Sequence, residues 1–459
     1  MARRLFGTDG VRGVAGEALT AELTLALGRA ATARAGGEGA GRDRRSARPR
    51  VLVIRDTRAS GEMLEAAVAA GIAAAGGVAL LGGVLPTPAA PLLIRRYGFD
   101  LGVVLSASHN PWRDNGVKFF GSDGDKLSDA VEEEIEALLD AEPDRSGGDQ
   151  RAEPGGVTPL HGTLEDYLRE LHARFAALDL SGRRILLDCA NGATYRAAPE
   201  VFRRLGAHVD VLADEPDGRN INDGCGSTHI DRLAGAVREG GHDAGFAFDG
   251  DGDRVLAVDR DGAVVDGDEL IALAALHLRA AGRLPGNGVA VTVMTNYGFH
   301  TAMAAAGVEV ATTAVGDRYV LEALRARGWA LGGEQSGHII ELGFAPSGDG
   351  IASALLTLEA LGGGDLADRH AMEKLPQKLV NVRLPDRAAV ERAAQDDAMV
   401  AAVEREQEAL SGRGRVLVRA SGTEPLLRVM VEAPSAEEAD AACGRLVERA
   451  QAAAVEMAP

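Results

Sequence analysis

Short apolar runs alternate with alanine-rich stretches through most of the chain, which is the pattern of a parallel sheet covered by helices. Between residues 50 and 105 this pattern predicts strands at Arg50–Ile54, Val78–Leu81 and Leu101–Leu105. Helices are predicted between these strands, over about 60–75 and 88–97. This part of the chain is therefore expected to form a βαβαβ unit.

The same alternation of predicted strands and helices occurs twice more along the chain. We therefore expect three similar α/β domains, with mixed, largely parallel sheets flanked by helices, around a central cleft. The residues after about 372 differ and predict a smaller C-terminal α+β domain. The further predicted strands are 184–188, 208–212, 243–248, 289–293, 308–312, 329–331, 415–419 and 427–432. The further predicted helices are 194–205, 229–239, 298–306, one from about 317, 387–410 and one from 436.

Four domains are predicted, with boundaries at 1–155, 156–255, 256–371 and 372–459. The segment Ala141–Gly156, rich in Gly, Asp, Glu and Pro, is a plausible boundary, and Gly36–Pro49 is predicted to be a surface loop. The Arg-rich stretch at residues 42–50, which overlaps the end of this loop, has no assigned role.

The composition is that of an ordinary globular protein, with 46% hydrophobic and 25% charged residues. The net charge of -19 disfavours nucleic acid and anionic membranes as partners. Residues Ala66–Ile94 are largely apolar, but Pro86, Pro88 and Pro91 favour a buried helix, strand and turn over a membrane span. Three widely spaced cysteines suggest a reducing compartment, and the cytoplasm is the expected location.

Each of the three α/β repeats carries a polar motif directly after its last predicted strand. The motifs are Ser106-Ala-Ser-His-Asn-Pro111, Asp249-Gly-Asp-Gly-Asp-Arg254 and Gly333-Glu-Gln-Ser-Gly-His338. Ligands of open α/β sheets bind beyond the carboxyl ends of the strands. The three motifs are therefore expected to face one cleft.

The second motif predicts a metal site. Asp249, Asp251 and Asp253 alternate with glycines, so their carboxylates can present oxygens to one hard cation, and Mg²⁺ is preferred because it leaves positions for a phosphate. An EF-hand is excluded because Arg254 and Arg260 stand where Gly and Glu are required. The alternative is a solvated turn, in which the close carboxylates would repel each other.

The first motif places Ser108, His109 and Asn110 in a tight turn. Ser108 is either a turn former or, near the metal, the carrier of a phosphoryl group. Lys118 follows in Asp114-Asn-Gly-Val-Lys118 and is either a solvated surface residue or a general acid/base whose pKa is lowered by burial and neighbouring cations.

The third motif offers Glu334 and Ser336, an acceptor and a donor suited to vicinal sugar hydroxyls. His338 is either a second proton-transfer group or a packed histidine. In the last domain, Arg419-Ala-Ser-Gly-Thr-Glu-Pro425 and Arg428 bring hydroxyls, backbone amides and guanidinium groups together, which favours binding of a nonreacting phosphate over a simple hairpin turn.

These four motifs, in this order, resemble the α-D-phosphohexomutase superfamily, and the resemblance runs from Gly7-Thr-Asp-Gly-Val-Arg-Gly13 to the loop at 419–428. It implies that Ser108 is a phosphoserine and that Asp249, Asp251 and Asp253 hold Mg²⁺ together with an oxygen on Ser108. The implied catalytic residues are Ser108, Lys118, Arg12, His109 and His338. The implied substrate-binding residues are Arg254, Glu334, Ser336, Arg419, Ser421, Gly422, Thr423 and Arg428.

The third motif resembles the branch of this superfamily that acts on glucosamine phosphate. That branch implies interconversion of glucosamine 6-phosphate and glucosamine 1-phosphate through a sugar 1,6-bisphosphate, which supplies amino-sugar nucleotides and cell-wall precursors. The implied partner is a small sugar phosphate, and the chain is expected to be a monomer or a homodimer. Two alternatives stay open: a mutase of the same superfamily acting on glucose or mannose phosphates, and a phosphoserine-dependent phosphatase.

Overall fold

The structure is a computed structural model that describes residues 5–7, 9–38, 48–140, 153–420 and 425–456. Most of the Arg-rich stretch and of the predicted linker 141–156 lies outside these residues. The chain divides into two compact units, Met1–Val293 with Glu309–Arg369 and Met294–Val308 with His370–Pro459. Among the residues described, the first unit contains three sheets and the second unit contains one.

The first sheet is built by the strands β1 (Val11–Val14), β2 (Arg50–Arg55), β3 (Val78–Val84), β4 (Leu101–Leu105), β5 (Asp114–Gly121) and β6 (Gly156–Pro159). The strand order is β1-β5-β4-β2-β3-β6. Strands β2, β3, β4 and β6 are parallel, whereas β5 runs antiparallel to β1 and β4. The helices are α1 (Ala21–Glu38), α2 (Gly61–Ala74), α3 (Ala89–Tyr97) and α4 (Asp129–Asp140). Leu27, Val53 and Val68 belong to the apolar core of this layer.

The apolar segment 66–94 is divided among α2, β3 and α3, as its prolines indicated. None of the helices in the described part of the chain combines the length and the apolar character needed to cross a membrane.

The second sheet contains β7 (Arg184–Asp188), β8 (His208–Leu212), β9 (Ala244–Phe248), β10 (Val255–Asp259) and β11 (Val264–Val265), in the order β11-β10-β9-β7-β8. Strand β7 is parallel to β8 and β9, and β10 is antiparallel to β9. The helices of this region are α5 (Thr163–Arg174), α6 (Ala197–Arg204) and α7 (Ile230–Gly240), and the next helix, α8 (Gly267–Ala280), packs against the third sheet.

The third sheet contains β12 (Gly288–Thr292), β13 (Glu309–Thr313), β14 (Leu331–Gly333) and β15 (Ile339–Glu341), in the order β13-β12-β14-β15. Strand β12 is parallel to β13 and β14, and β15 is antiparallel to β14. Helix α9 (Tyr297–Ala305) follows β12 in the chain but belongs to the second unit, whereas α10 (Asp317–Arg327) and α11 (Gly350–Leu361) belong to the first.

The same local arrangement occurs once in each of these three sheets. One parallel strand, which is β4, β9 or β14, is followed in the chain by an antiparallel neighbour, which is β5, β10 or β15. Each polar motif lies in the connection between the two. The predicted fold class, with mixed and largely parallel sheets flanked by helices, is confirmed.

The second unit contains the antiparallel sheet β16 (Gln377–Arg383), β18 (Leu426–Glu432) and β17 (Arg415–Ala420), in that order, with the helices α12 (Arg387–Gln395), α13 (Asp397–Leu410) and α14 (Ala436–Glu456). The prediction of one helix over 387–410 is wrong. Asp396 has an extended backbone, and its side chain accepts a hydrogen bond from the Met399 N–H, so it ends α12 and caps α13.

Candidate active site

Ser108 lies in the connection from β4 to β5 and is buried, with 1% of its surface exposed. Its φ of 53° is in the left-handed region, which serine rarely adopts. The Ser108 N–H donates to Ser106 Oγ at 2.9 Å, and that hydroxyl donates to Asp56 Oδ2 at 2.7 Å. The unusual backbone of Ser108 is therefore supported by a buried polar network.

Arg58 holds the carbonyl groups of the same loop. Its fully buried guanidinium donates to the carbonyl oxygens of Ser108 at 2.8 Å, Asn110 at 2.9 Å and Asp114 at 2.9 Å. Arg58 Nε donates to Asp56 Oδ2 at 2.8 Å, so the buried charge is paired. Arg58, which follows the neighbouring strand β2, therefore holds three carbonyl groups of the serine loop in place.

The carboxylates of the second motif meet the serine. Asp249, Asp251 and Asp253 are buried in the turn from β9 into β10, and one oxygen from each lies within 4.8 Å of the others. Ser108 Oγ donates to Asp249 Oδ2 at 2.5 Å. The β4–β5 loop of the first sheet and the β9–β10 turn of the second sheet therefore lie side by side.

The electrostatics of this cluster favour a cation. Burial and the charges of Asp253 and Asp251 raise the pKa of Asp249 well above its usual range. Burial alone would raise the pKa of Asp253, but His338, whose Nδ1 is 3.6 Å from Asp253 Oδ2, lowers it. Asp251 Oδ1 and Asp253 Oδ1 are buried with no hydrogen-bond partner in the described part of the chain. These unpartnered oxygens are the donor type that a hard divalent ion requires.

Lys118 lies on β5 beside the cluster. Its Nζ is 2.8 Å from Asp251 Oδ2 and 2.9 Å from Asp9 Oδ2. Burial alone would lower the pKa of Lys118, but the charges of Asp251 and Asp9 raise it, so the expectation of a lowered pKa is wrong. The alternative of a solvated surface lysine is wrong, because 1% of the side chain is exposed.

A second lysine, Lys126, joins three segments around the same centre. Its Nζ is 2.5 Å from Asp9 Oδ1 and 2.6 Å from Asp317 Oδ2. Asp9 belongs to the N-terminal segment, where Arg12 also pairs with it, and Asp317 is the first residue of α10. The N-terminal segment, the loop after β5 and the third sheet are thus linked by one ammonium group.

The third motif occupies the turn from β14 into β15. Glu334 Oε1 accepts a hydrogen bond from the Gly316 N–H at 3.0 Å, and His338 Nε2 accepts one from the Gly348 N–H at 3.0 Å. Ser336 lies on the same turn and is exposed. The three predicted residues are therefore close in the chain but differ in their surroundings.

These loops surround a cavity of about 440 Å³ within the first unit. His109 Nδ1 lies 3.4 Å from Ser108 Oγ and 3.3 Å from Arg254 Nη1, and burial and the charges of Arg254 and Arg12 lower the pKa of His109. Cations next to carboxylates suit a small ligand that carries both a phosphate and hydroxyl groups. The lining includes Arg12, His109, Lys126, Asp253, Arg254, Asp317, Glu334 and His338.

The second unit holds the predicted arginines next to each other. Arg419 on β17 and Arg428 on β18 are directly opposite in the antiparallel pair. Burial and the charge of Arg428 lower the pKa of Arg419, and Arg428 Nε is buried with no partner among the residues that the structure describes. Two adjacent guanidinium groups favour an anion. Ser421, Gly422 and Thr423 lie outside the described residues.

Several site residues were not predicted from the sequence. Asp56 and Arg58 directly follow β2, so the criterion of polar residues after a strand could have found them. Asp9 lies within Gly7-Thr-Asp-Gly-Val-Arg-Gly13, where the resemblance begins, but only Arg12 was selected from that segment. Lys126 lies in a Gly- and Asp-rich segment whose only signal is a charged side chain. Their roles depend on contacts that the local sequence does not specify.

Comparison with known families finds matches over most of the chain. Residues 3–146 match the alpha/beta/alpha domain I of phosphoglucomutase/phosphomannomutase, 157–262 match domain II, 266–379 match domain III and 379–449 match the C-terminal domain.

Several curated proteins are similar to the chain over nearly its full length. The phosphoglucosamine mutase of Moorella thermoacetica is 51% identical over 95% of this chain and 96% of its own. The phosphoglucosamine mutase of a Nocardioides species is 50% identical over 97% of this chain and 98% of its own.

Two solved structures share the fold. A phosphoglucomutase/phosphomannomutase family protein from Burkholderia thailandensis has a TM-score of 0.80 at 24% identity and covers 99% of this chain and 98% of its own. Aspergillus fumigatus N-acetylphosphoglucosamine mutase, in complex with GlcNAc-6P and magnesium, has a TM-score of 0.69 at 18% identity. The match covers 98% of this chain and 96% of the Aspergillus chain. At these identities the likeness concerns the fold.

Proposed function

Because the chain belongs to the phosphoglucomutase/phosphomannomutase family, we propose that it interconverts glucosamine 6-phosphate and glucosamine 1-phosphate, with Ser108 as the phosphoryl carrier. The choice of sugar is supported by phosphoglucosamine mutases about half identical to the chain over almost its whole length. The choice of carrier is supported by one contact, the 2.5 Å hydrogen bond from Ser108 Oγ to Asp249 in a buried carboxylate cluster.

Asp249, Asp251 and Asp253 are the proposed magnesium ligands, together with one oxygen of the group carried by Ser108. Their all-oxygen donor set and the two unpartnered oxygens fit this ion. When bound, Mg²⁺ would offset negative charge on the transferring phosphoryl group.

The reaction proceeds in two transfers. In the first, the bond between Ser108 Oγ and phosphorus breaks, and phosphorus bonds to the C1 hydroxyl oxygen of glucosamine 6-phosphate, giving the 1,6-bisphosphate. The bisphosphate then turns around. In the second transfer the C6 phosphoryl group moves to Ser108, and glucosamine 1-phosphate leaves. Each transfer moves one hydroxyl proton, so a proton acceptor and a donor are needed close to the serine.

The side chains around the cavity fit these requirements. Arg12 and Arg254 line it and would hold the phosphoryl group as guanidinium donors. His109 Nδ1, 3.4 Å from Ser108 Oγ, is the ring nitrogen within reach of the serine proton. Lys118 and His338 are the further proposed groups for charge and proton transfer, and Glu334 with Ser336 would bind the sugar hydroxyls.

The nonreacting phosphate is assigned to the second unit. Arg419 and Arg428 lie opposite each other at the ends of β17 and β18, and their mutual repulsion would be relieved by an anion. Ser421, Gly422 and Thr423, between these strands, are proposed as further phosphate ligands.

The test is turnover of the 6-phosphates of glucosamine, glucose and mannose by the enzyme primed with a hexose 1,6-bisphosphate. The kcat/KM for glucosamine 6-phosphate is expected to exceed the others by about tenfold or more, and Ser108→Ala to be inactive. A preference for glucose or mannose phosphate would contradict the sugar assignment. Release of inorganic phosphate at the turnover rate would instead identify a phosphatase.

A further inference from the structure

The carbonyl oxygen of Ser108 is a meeting point of the first and second sheets. Asn222 Nδ2 donates to it at 3.0 Å and to the carbonyl oxygen of Asn110 at 3.1 Å. Arg58 Nη2 donates to the same two carbonyls at 2.8 and 2.9 Å. The serine loop is therefore held by an arginine from its own sheet and by an asparagine from the neighbouring one.

Asn222 is itself firmly placed. It lies between β8 and α7, with 8% of its surface exposed, and its backbone N–H donates to the Ala190 carbonyl at 2.9 Å. Its φ of 58° is in the left-handed region, which Asn tolerates better than most residues with a side chain. Its amide can therefore act as a fixed donor.

The metal-binding turn packs against the same point. A Cβ added to Gly250, between Asp249 and Asp251, would lie 2.6 Å from the Ser108 carbonyl oxygen and 2.7 Å from Asn222 Nδ2. The glycine allows this close approach. The serine loop, the carboxylate turn and the Asn222 amide are thus in direct contact.

We propose that Asn222 is a positioning residue for phosphoryl transfer, which keeps Ser108 Oγ in line with the Asp249 turn. This role rests on the proposed function. Ser108 has a strained backbone that can relax by rotating its peptide groups, and the Asn222 amide resists that rotation from the side of the second sheet. Because small displacements of a reacting atom lower the rate strongly, loss of this donor acts on the chemical step.

The decisive variant is Asn222→Asp, which has the same size and also tolerates a left-handed backbone but presents a carboxylate oxygen to the two carbonyls. We expect kcat to fall about tenfold or more while KM for glucosamine 6-phosphate changes less than about twofold. In a single turnover, loss of the phosphoryl group from Ser108, followed by intact mass, is expected to slow by the same factor as kcat.

The matched control is Asn220→Asp, two residues earlier in the same loop. Asn220 accepts from the Asp217 N–H at 3.0 Å and donates to the Glu215 carbonyl at 2.9 Å. The Asn220→Asp substitution makes the same amide-to-carboxylate change, but the Asn220 side chain has no hydrogen bond to the serine loop, which lies within the described residues. We therefore expect kcat to stay near the wild-type value.

Wild-type kcat in Asn222→Asp, or an equal loss in Asn220→Asp, would overturn the positioning role. If Asn222→Asp fails to fold, Asn222→Gly removes the donor while allowing the same backbone, and it is judged by the same criteria. Wild-type enzyme that turns over no sugar phosphate would overturn the proposed function itself before any variant is compared.

Discussion

Ser108 has a φ of 53°, a conformation that costs a residue with a Cβ about 1–3 kcal/mol. The hydrogen bonds around it compensate for this cost: Ser106 accepts from its N–H, and Arg58 and Asn222 donate to its carbonyl. Asp249 accepts from its hydroxyl. The backbone of the proposed phosphoryl carrier is therefore fixed before a substrate binds, and in the unphosphorylated enzyme its hydroxyl is fixed as well, which lowers the reorganisation needed for transfer.

For individual residues, the sequence predicted the reacting side chains near strand ends but not the side chains that hold them in position. Ser108 and Asp249 are each close to a strand end, so their meeting could be expected from sheet topology alone. The contact between Asn222 and the Ser108 carbonyl joins residues 114 positions apart, and nothing in either local sequence specifies it.

The raised pKa of Asp349 predicts that the stability of the fold depends on pH. Asp349 caps α11 and accepts hydrogen bonds from the Tyr167 hydroxyl and the Ala352 N–H. Burial raises its pKa to about 6, against 3.8 when it is solvated. Since the folded state binds this proton more tightly, the contribution of Asp349 to stability is full below pH 3.8 and is lost as the pH rises through about 6.

Asp349→Asn keeps an acceptor for Ala352 and can donate to the Tyr167 oxygen. It is therefore expected to stabilise the protein above pH 6, by up to roughly 3 kcal/mol at pH 8, and to lose this advantage towards pH 4. Thermal unfolding of both proteins between pH 4 and 8 measures the difference. A difference that does not change with pH would show that the carboxyl group does not titrate in this range.

The three hairpin-like turns are the elements that build the site. In each α/β sheet a buried parallel strand is followed by a polar turn and an antiparallel strand, so the side chains of the turn are held at both ends. Such turns are stiffer than free loops, because backbone hydrogen bonds begin directly on either side. A rigid base for the carboxylates and the serine follows from this arrangement.

Most parallel strands were predicted closely, but the parallel strand β6 and the antiparallel strands β5, β10 and β15 were not, and β14 begins two residues later than predicted. Asp114-Asn-Gly-Val-Lys118 reads as a loop because it is polar, yet it forms most of a buried strand whose lysine is neutralised by Asp251 and Asp9. Strand β15 contains only Ile339–Glu341, too short for a two-residue period to appear. Charge pairing and length, both set by tertiary structure, explain these omissions.

The contacts of Lys126 predict that it affects substrate binding through the position of α10. Lys126 holds Asp317 at the start of α10, and the preceding Gly316 donates to Glu334, the proposed sugar ligand. Lys126→Met is therefore expected to raise KM for glucosamine 6-phosphate about fivefold or more and to lower kcat by a smaller factor. Lys126→Arg, which keeps the charge, is expected to restore most of the loss.

Arg325→Met is the control for this prediction. Arg325 pairs with Asp125 and so links the same loop to the same helix, but 46% of its side chain is exposed and it does not line the cavity. KM within about twofold of wild type is expected, since exposed ion pairs contribute little. An equal rise in KM in both variants would indicate a general loosening of α10, and no rise in Lys126→Met would contradict the role of Lys126.

The whole molecule carries a net charge of -19, although its proposed substrate is an anion. The cations are concentrated where they are needed: Arg12, Lys126 and Arg254 line the cavity of the first unit, and Arg419 and Arg428 lie together in the second. The boundaries predicted for the four domains stay a prediction, as do the individual roles of the site residues. What the sequence predicted at this scale, three similar α/β domains and a smaller α+β domain, agrees with the four sheets observed.

Transfer of an isotopic label from Ser108 tests the mutase mechanism most directly. The enzyme is phosphorylated on Ser108 with an ¹⁸O-labelled phosphoryl group, mixed with an equal amount of unlabelled glucosamine 6-phosphate, and quenched after about one turnover. Two transfers through the 1,6-bisphosphate require the labelled group to reach C1 of the sugar and the unlabelled C6 group to return to Ser108. Mass analysis is expected to find the label in glucosamine 1-phosphate and unlabelled phosphate on Ser108. Label that stays on Ser108 while product forms, or that leaves as inorganic phosphate, would contradict the mechanism.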